Sequence, residues 1–374
     1  VARALKTGPG RVMLTKPTPS LADTLRRRIV SEGPITVHDY MEACLADPVS
    51  GYYIARQPVG KAGDFITAPE ISQIFGELLG LWVASVWQAM GEPETITIAE
   101  LGPGRGTLMA DALRAIKAVP RLHQSLSIAL IETSPVLREV QADALGSFDV
   151  AWFDAIEDLP DVPVILLANE FLDALPVRQY VRREDGWHER CVGTTHDAFA
   201  YVERDEATDI ALPPELRHAE AGATFETRPA MAKLVAALAA RTEPVAALFV
   251  DYGHARSGFG DTLQAVRGHR FADPLEAPGN SDLSAHVDFA DLARQAKAAG
   301  LKSFGPISQS ALLIGLGLET RRDALLQRAN SEQRQAIVAG VNRLTDPGVM
   351  GDLFKALAVT SKTLPPPPPF LQAS

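Results

Sequence analysis

The sequence predicts an α/β protein whose central sheet is largely parallel. Short β-branched and aliphatic runs alternate with amphipathic helical stretches from residue 95 onward. The runs are apolar at consecutive positions, as strands covered on both faces must be. A glycine-bearing turn, Gly102-Pro103-Gly104-Arg105-Gly106, follows the first run and opens the first helix. With 374 residues the chain exceeds one minimal core, so a two-part architecture or one domain with large insertions is expected.

Residues 1–19 carry basic residues without an amphipathic pattern and are expected as a flexible tail. The stretch 20–94 reads as a helical segment. Ser20 caps a helix to residue 32, Gly33-Pro34 stops it, and Thr36 opens a second helix over 37–46 that Asp47-Pro48 ends. After Gly51-Tyr52-Tyr53, a polar, irregular glycine-bearing segment from Gly60 to Glu70 is too irregular for a core element and is expected to be an active-site loop. Residues 71–90 are apolar around much of a helical circumference, which predicts a buried helix.

The domain proper is expected over 95–361. Strands are predicted at 95–101, 126–132, 149–154 and 162–170, with helices at 106–117 and 135–145 between them. The rhythm then breaks. A hairpin over 177–192, a further strand at 198–203 and a helix at 230–241 predict an insertion spanning 177–241. A fifth strand at 245–253 resumes the sheet. Residues 253–285, rich in Gly, Pro, Asp and Ser, are expected as surface loops near its ligand edge. Asp288 should cap a helix ending before Gly300, a sixth strand lies at 301–307, three helices fill 309–344, and a last strand occupies 354–360. The proline run 365–369 predicts an extended, mobile tail over 362–374.

A net charge of −10 argues against broad nucleic-acid binding, which needs a positive field. No apolar run approaches the length of a membrane span. Cys44 and Cys191 have neither metal-ligand spacing nor the look of a disulfide framework, so no metal is expected and a reducing compartment fits: cytoplasm in a bacterium, mitochondrial matrix in a eukaryote.

Ligands of an open parallel sheet bind where strand order reverses, at the carboxyl ends of the strands. Those ends carry Glu100 with the glycine turn, Glu132, Asp154, Asn169-Glu170 and Asp251. A dinucleotide fingerprint requires Gly-x-Gly-x-x-Gly, whereas the spacing of Gly102, Gly104 and Gly106 is Gly-x-Gly-x-Gly, and the carboxylate of Glu100 would repel a pyrophosphate. The same carboxylate suits the cationic amino-acid end of S-adenosylmethionine, with Glu132 for the ribose hydroxyls and Asp154 for the adenine amino group. Asn169 joins this cofactor set.

The segments 63–77 (GDFITAPEISQIFGE), 100–107, 169–177 (NEFLDALPV), 251–253 (DYG) and 286–289 (HVDF) resemble the MidA family of S-adenosylmethionine-dependent methyltransferases over about residues 20–360. The resemblance implies a class I methyltransferase fold, Rossmann-like, with a seven-stranded sheet and an antiparallel last strand. It also implies symmetric dimethylation of an arginine on a subunit of respiratory complex I, since the mitochondrial members assist assembly of that complex. Glu170 and Asp173 are the carboxylates expected to hold a guanidinium, with Glu70 and His286 reaching the same mouth and His286 as proton acceptor. The chain lacks both the Asn-Pro-Pro-Tyr pattern of amino-methyltransferases and the glutamate-pair hairpin of the usual arginine methyltransferases. An S-adenosylmethionine-binding assembly factor without turnover and an NAD-dependent oxidoreductase are the alternatives; oligomeric state is open.

Overall fold

A computed structural model describes residues 19–55, 66–196 and 198–370. Residues 1–18 of the expected N-terminal tail and 60–65 of the expected active-site loop lie outside the described residues.

The main sheet runs, from one edge to the other, through Lys302–Ser308, Phe354–Thr360, Val245–His254, Val164–Asn169, Ile96–Leu101, Leu126–Ile131 and Val150–Phe153. A two-residue strand, Val287–Asp288, adds to the end of Val245–His254. Neighbours from Val245–His254 to Val150–Phe153 pair in parallel, and Phe354–Thr360 is antiparallel to both its neighbours. From Ile96–Leu101 the chain builds outward to one side and then returns to Val164–Asn169 on the other. Strand order therefore reverses between these two, and a crevice opens beyond Leu101 and Asn169.

Both central strands are buried along their whole length, because each face is covered. Ile96, Ile98, Ile165 and Leu167 face one core with the helices Gln73–Ala89 and Thr107–Ile116. Ala99, Leu101, Val164 and Leu166 face the other, with Pro229–Ala239 and Phe289–Ala298. Helix Gln73–Ala89 lies so close to Thr107–Ile116 that a Cβ on Gly80 would come within 2.5 Å of the Ala112 carbonyl oxygen. Only glycine permits that approach. Ser72 caps this helix and separates it from the short helix Ala68–Ile71, so the single helix expected over 71–90 begins with a break.

A second sheet orders Ile35–Thr36, Trp187–Thr195, Arg178–Arg182 and Thr224–Thr227, with Ala198–Thr208 also on Trp187–Thr195. The N-terminal helices share one apolar cluster with this sheet: Leu25, Ile29 and Met41 pack with Val177 and Val192.

Two expectations are corrected. The passage 253–285 is not merely surface loop: Gln264–Arg267, Arg270–Ala272 and Asp282–Ser284 form a small antiparallel sheet. Ala265, Leu283 and Ala285 are buried in the cluster of the N-terminal helices. Small residues at alternate positions hid this core contact among turn residues. The proline run is not loose either, since Leu364 and Phe370 at its two ends are buried in the main core, and Lys302 Nζ donates to the Leu364 carbonyl at 3.0 Å. Prolines cannot join a sheet ladder, yet they carry two apolar anchors onto it.

Candidate active site

The crevice holds a cavity of about 400 Å³. On its floor the turn after Ile96–Leu101 bends through left-handed glycines, with φ of 58° at Gly102, 53° at Gly104 and 79° at Gly106. This leads into helix Thr107–Ile116, whose first residues, Thr107 and Leu108, line the cavity and whose N-cap, Gly106, offers no side-chain cap.

Glu100 is buried, and its Oε2 has no hydrogen-bond partner among the described residues. Burial pushes its carboxyl up to about 8, with the Met109 N–H pulling the other way. Asn169, at the end of the neighbouring central strand, likewise buries an Oδ1 without a partner among the described residues. Two orphaned acceptors at a cavity wall are costly unless a ligand donates to them. An ammonium fits this pair, and a phosphate does not.

Glu132 is held by two donors, the Ser134 N–H at 2.8 Å and Gln141 Nε2 at 3.1 Å. Burial raises its carboxyl. Gln141 Nε2 also reaches the Gly104 carbonyl at 2.8 Å, and its Oε1 accepts from Trp152 Nε1 at 2.9 Å. One fully buried amide therefore ties the glycine turn to the second and third strands. Asp154 is exposed at the rim, where Arg138 Nη2 donates to it at 2.7 Å.

The other half of the cavity is built by the N-terminal segment and the turn after Val164–Asn169. Glu170 adopts a left-handed φ of 51°, and its Oε1 accepts from the Ala68 N–H at 3.0 Å and from Asn169 Nδ2 at 3.1 Å. Burial, opposed by the Ala68 N–H and reinforced by Asp173, pushes its carboxyl up to about 7. Asp173 is buried, and burial raises its carboxyl against the pull of the Tyr252 hydroxyl and Arg228. The turn that carries both acids is nested on Asp251, whose Oδ2 accepts the N–H groups of Phe171, Leu172 and Asp173 at 3.1, 2.8 and 3.2 Å. Asp251 thus shapes the turn from behind.

Glu70 lines the cavity, but it accepts from Thr107 Oγ1 and lies 3.9 Å from Arg105 Nη1. It closes the N-terminal segment onto the glycine turn. His286 is not brought to this cavity. It lines a neighbouring one of about 300 Å³ with His254 and Asp288, and Tyr252 meets it edge-on at 5.4 Å between ring centres. Burial and His254 lower its pKa. Gln141 and Asp282, both central to the geometry, were not singled out in the sequence. Gln141 had one usable signal, a polar residue one turn after Leu137 on the buried face of Pro135–Ala144.

Residues 78–307 match a family model described as "Putative S-adenosyl-L-methionine-dependent methyltransferase". The chain belongs to this methyltransferase family. It is 36% identical over 371 residues to the mitochondrial protein arginine methyltransferase NDUFAF7 of Danio rerio, covering 91% of this chain and 86% of that protein. The Homo sapiens protein of the same name is 36% identical over 367 residues, covering 90% and 82%. Among solved structures, a superfamily protein from Burkholderia thailandensis bound to S-adenosyl-homocysteine is 30% identical with a TM-score of 0.79, covering 94% of this chain and 96% of that one. The methyltransferase therefore uses S-adenosylmethionine as methyl donor, and its sheet is that of an α/β methyltransferase. No described helix is long and apolar enough to cross a membrane.

Proposed function

We propose that this methyltransferase modifies an arginine of a protein substrate, with symmetric dimethylation of a complex I subunit as the specific outcome. Its relatives' names supply the arginine; the complex I role follows from the family resemblance. The observation in this chain that carries the reading is the acidic wall on the acceptor side of the cavity. Glu170, Asp173 and Asp282 line that side, and Arg228 behind them donates to the carbonyls of Leu175, Ala285 and His286. Such a wall favours a cationic acceptor.

In this reading Glu100 and Asn169 take the ammonium of the cofactor's amino-acid end, and Gly102, Gly104 and Gly106 let the backbone approach it without a Cβ in the way. Glu132, fixed by Ser134 and Gln141, takes the ribose hydroxyls, and Asp154 at the rim takes the adenine amino group. S-adenosylmethionine, when bound, supplies an electrophilic methyl group on sulfur. Glu170 and Asp173 orient the guanidinium so that one nitrogen presents its lone pair, and the raised carboxyl of Glu170 suits it to take the proton released. His286 holds no role in this scheme. The N-terminal segment, docked through Ala68 and Glu70, excludes water from the same space.

The two buried free cysteines fit a reducing compartment, the matrix in the case of the mitochondrial relatives. The test is incubation of the protein with isotopically labelled S-adenosylmethionine and an extract of its source, followed by mass spectrometry of the labelled protein. Symmetric dimethylarginine on a complex I subunit is expected. Label on lysine, or none on any protein, would sink the proposal.

A further inference from the structure

We propose that Gln141 is a positioning residue for the methyl donor: it orients the Glu132 carboxylate toward the ribose hydroxyls and holds the glycine turn in register with it. The inference rests on the reading of Glu132 as the ribose acceptor. It adds a residue on helix Pro135–Ala144, outside every motif that carries the family resemblance.

Gln141 is fully buried and does not line the cavity, whereas Gly104 and Glu132, the two groups it holds from behind, both do. An amide has two hydrogens on its nitrogen and an acceptor oxygen, so its orientation decides what it can hold. Trp152 Nε1, a donor only, lies 2.9 Å from Oε1. The Gly104 carbonyl, an acceptor only, lies 2.8 Å from Nε2, and Glu132 Oε2 lies 3.1 Å from the same nitrogen. All three partners demand the same orientation. A flipped amide would set N–H against N–H at Trp152 and oxygen against oxygen at Gly104 and Glu132. The indole therefore locks the amide, and both of its hydrogens are directed to the cofactor side.

The consequence for Glu132 is geometric. Its Oε1 accepts from the Ser134 N–H at 2.8 Å and its Oε2 from Gln141, so a donor on each oxygen fixes the plane of the carboxylate. Burial raises this carboxyl, and the same two donors oppose it. The Gly104 carbonyl is fixed by the other amide hydrogen, which ties the turn at the amino-acid end of the cofactor to the acid at its ribose. The helix also packs on the turn directly, since a Cβ on Gly106 would lie 3.6 Å from the Gln141 Cα. Groups held in this way before the ligand arrives need no ordering when it binds. Gln141→Met keeps the length of the side chain but leaves Glu132 Oε2 and the Gly104 carbonyl without this donor.

The full chain is titrated calorimetrically with S-adenosyl-homocysteine and with its 2′,3′-dideoxy analogue, which keeps the adenine and the amino-acid end. The wild type should bind the parent at least about tenfold more tightly than the analogue, the scale of one hydrogen bond to a charged group. Gln141→Met should lose about tenfold for the parent and much less for the analogue, so that its preference for the hydroxyls narrows to a few-fold. A merely structural role would weaken both ligands by the same factor, because independent effects add. A folded Gln141→Met protein with a preference as wide as that of the wild type overturns the proposal and leaves Glu132 as the ribose acceptor. A wild type that binds the two ligands equally overturns the Glu132 reading and the proposal with it. If Gln141→Met does not fold, Trp152→Phe decides, since it keeps an aromatic ring and removes the N–H that locks the amide: a narrowed preference supports the proposal, and an unchanged one overturns it.

Discussion

The carboxylate of Glu170 accepts the N–H of Ala68 at 3.0 Å, so a side chain from the end of a central strand caps the first turn of the N-terminal helix Ala68–Ile71. Thr67, in the N-cap position, makes no side-chain cap of its own. Glu170 thus serves two functions, and two variants separate them. Glu170→Gln keeps an acceptor oxygen for Ala68 but cannot carry the negative charge, so S-adenosyl-homocysteine affinity should stay close to wild type while turnover falls about 10²–10⁴-fold. Glu170→Ala also orphans a buried N–H, which adds about 1–3 kcal/mol of destabilisation. Calorimetry, single-turnover methylation and thermal melts distinguish the two, and wild-type turnover by the glutamine variant would remove Glu170 from the chemistry.

Gly102 has less room for a side chain than Gly106 at the other end of the turn. Its φ is 58°, and a Cβ there would stand 2.8 Å from the Phe171 ring. Gly102→Ala combines left-handed strain of about 1–2 kcal/mol with displacement of Phe171 from the cavity wall. The strain is present with or without ligand and acts on stability, whereas the displaced Phe171 ring intrudes on the cavity, so cofactor affinity is expected to fall by about tenfold. Melting of the ligand-free protein should change by only a few degrees. Equal affinity in the two proteins would mean that Phe171 moves freely and the turn is not closely fitted.

The strands that build the crevice were legible because they are apolar on both faces and end in polar residues: Ile96–Leu101 before Gly102, and Val164–Asn169 before Glu170. Chain order alone could not show that the return from Val150–Phe153 lands Asn169 beside Leu101, since that is a property of pairing across the sheet. His286 was misplaced for a related reason. A motif gives sequence neighbourhood, while Tyr252 decides on which side of the wall the imidazole lies. Asp282 was illegible because its strand is three residues long and its register is set by Val266 on the facing strand. The packing of Phe370 was hidden by the five prolines before it.

Phe370 is 4% exposed and packs in the main core beyond the last described strand. Pro369, beside it, sits so near Gly315 that a Cβ on that glycine would come within 2.5 Å. Phe370→Ala should cost about 3–5 kcal/mol, as for other buried aromatics. A chain ending at residue 363 should lose at least as much, because Leu364 goes with it. Urea unfolding curves measure both. Variants as stable as wild type would show that the segment lies on the core without contributing to it.

Glu100 predicts a pH dependence whose sign can be worked out. Burial raises its carboxyl from an ordinary value of 4.5 to about 8. Between those values the folded, ligand-free protein holds a proton that the unfolded chain has released, so the Glu100 contribution to stability declines as pH rises from about 4.5 to about 8. Ligand affinity runs the other way. An ammonium is bound by the ionised carboxylate, so affinity for S-adenosyl-homocysteine should climb by up to about tenfold per pH unit toward 8. The ligand's own α-amino group, beside its carboxylate in a free amino acid, loses its proton only at higher pH, so affinity should level off above about 8, where Glu100 is ionised, and fall only beyond that. Calorimetry at pH 7 in buffers of different ionisation enthalpy should show a proton released on binding. Glu100→Gln removes the titrating group: it should weaken binding, abolish the rise between pH 6 and 8, and flatten the ligand-free melting temperature over the same interval relative to wild type. A wild-type profile level from pH 6 to 8, with no proton release, would show that the ammonium binds elsewhere than at Glu100.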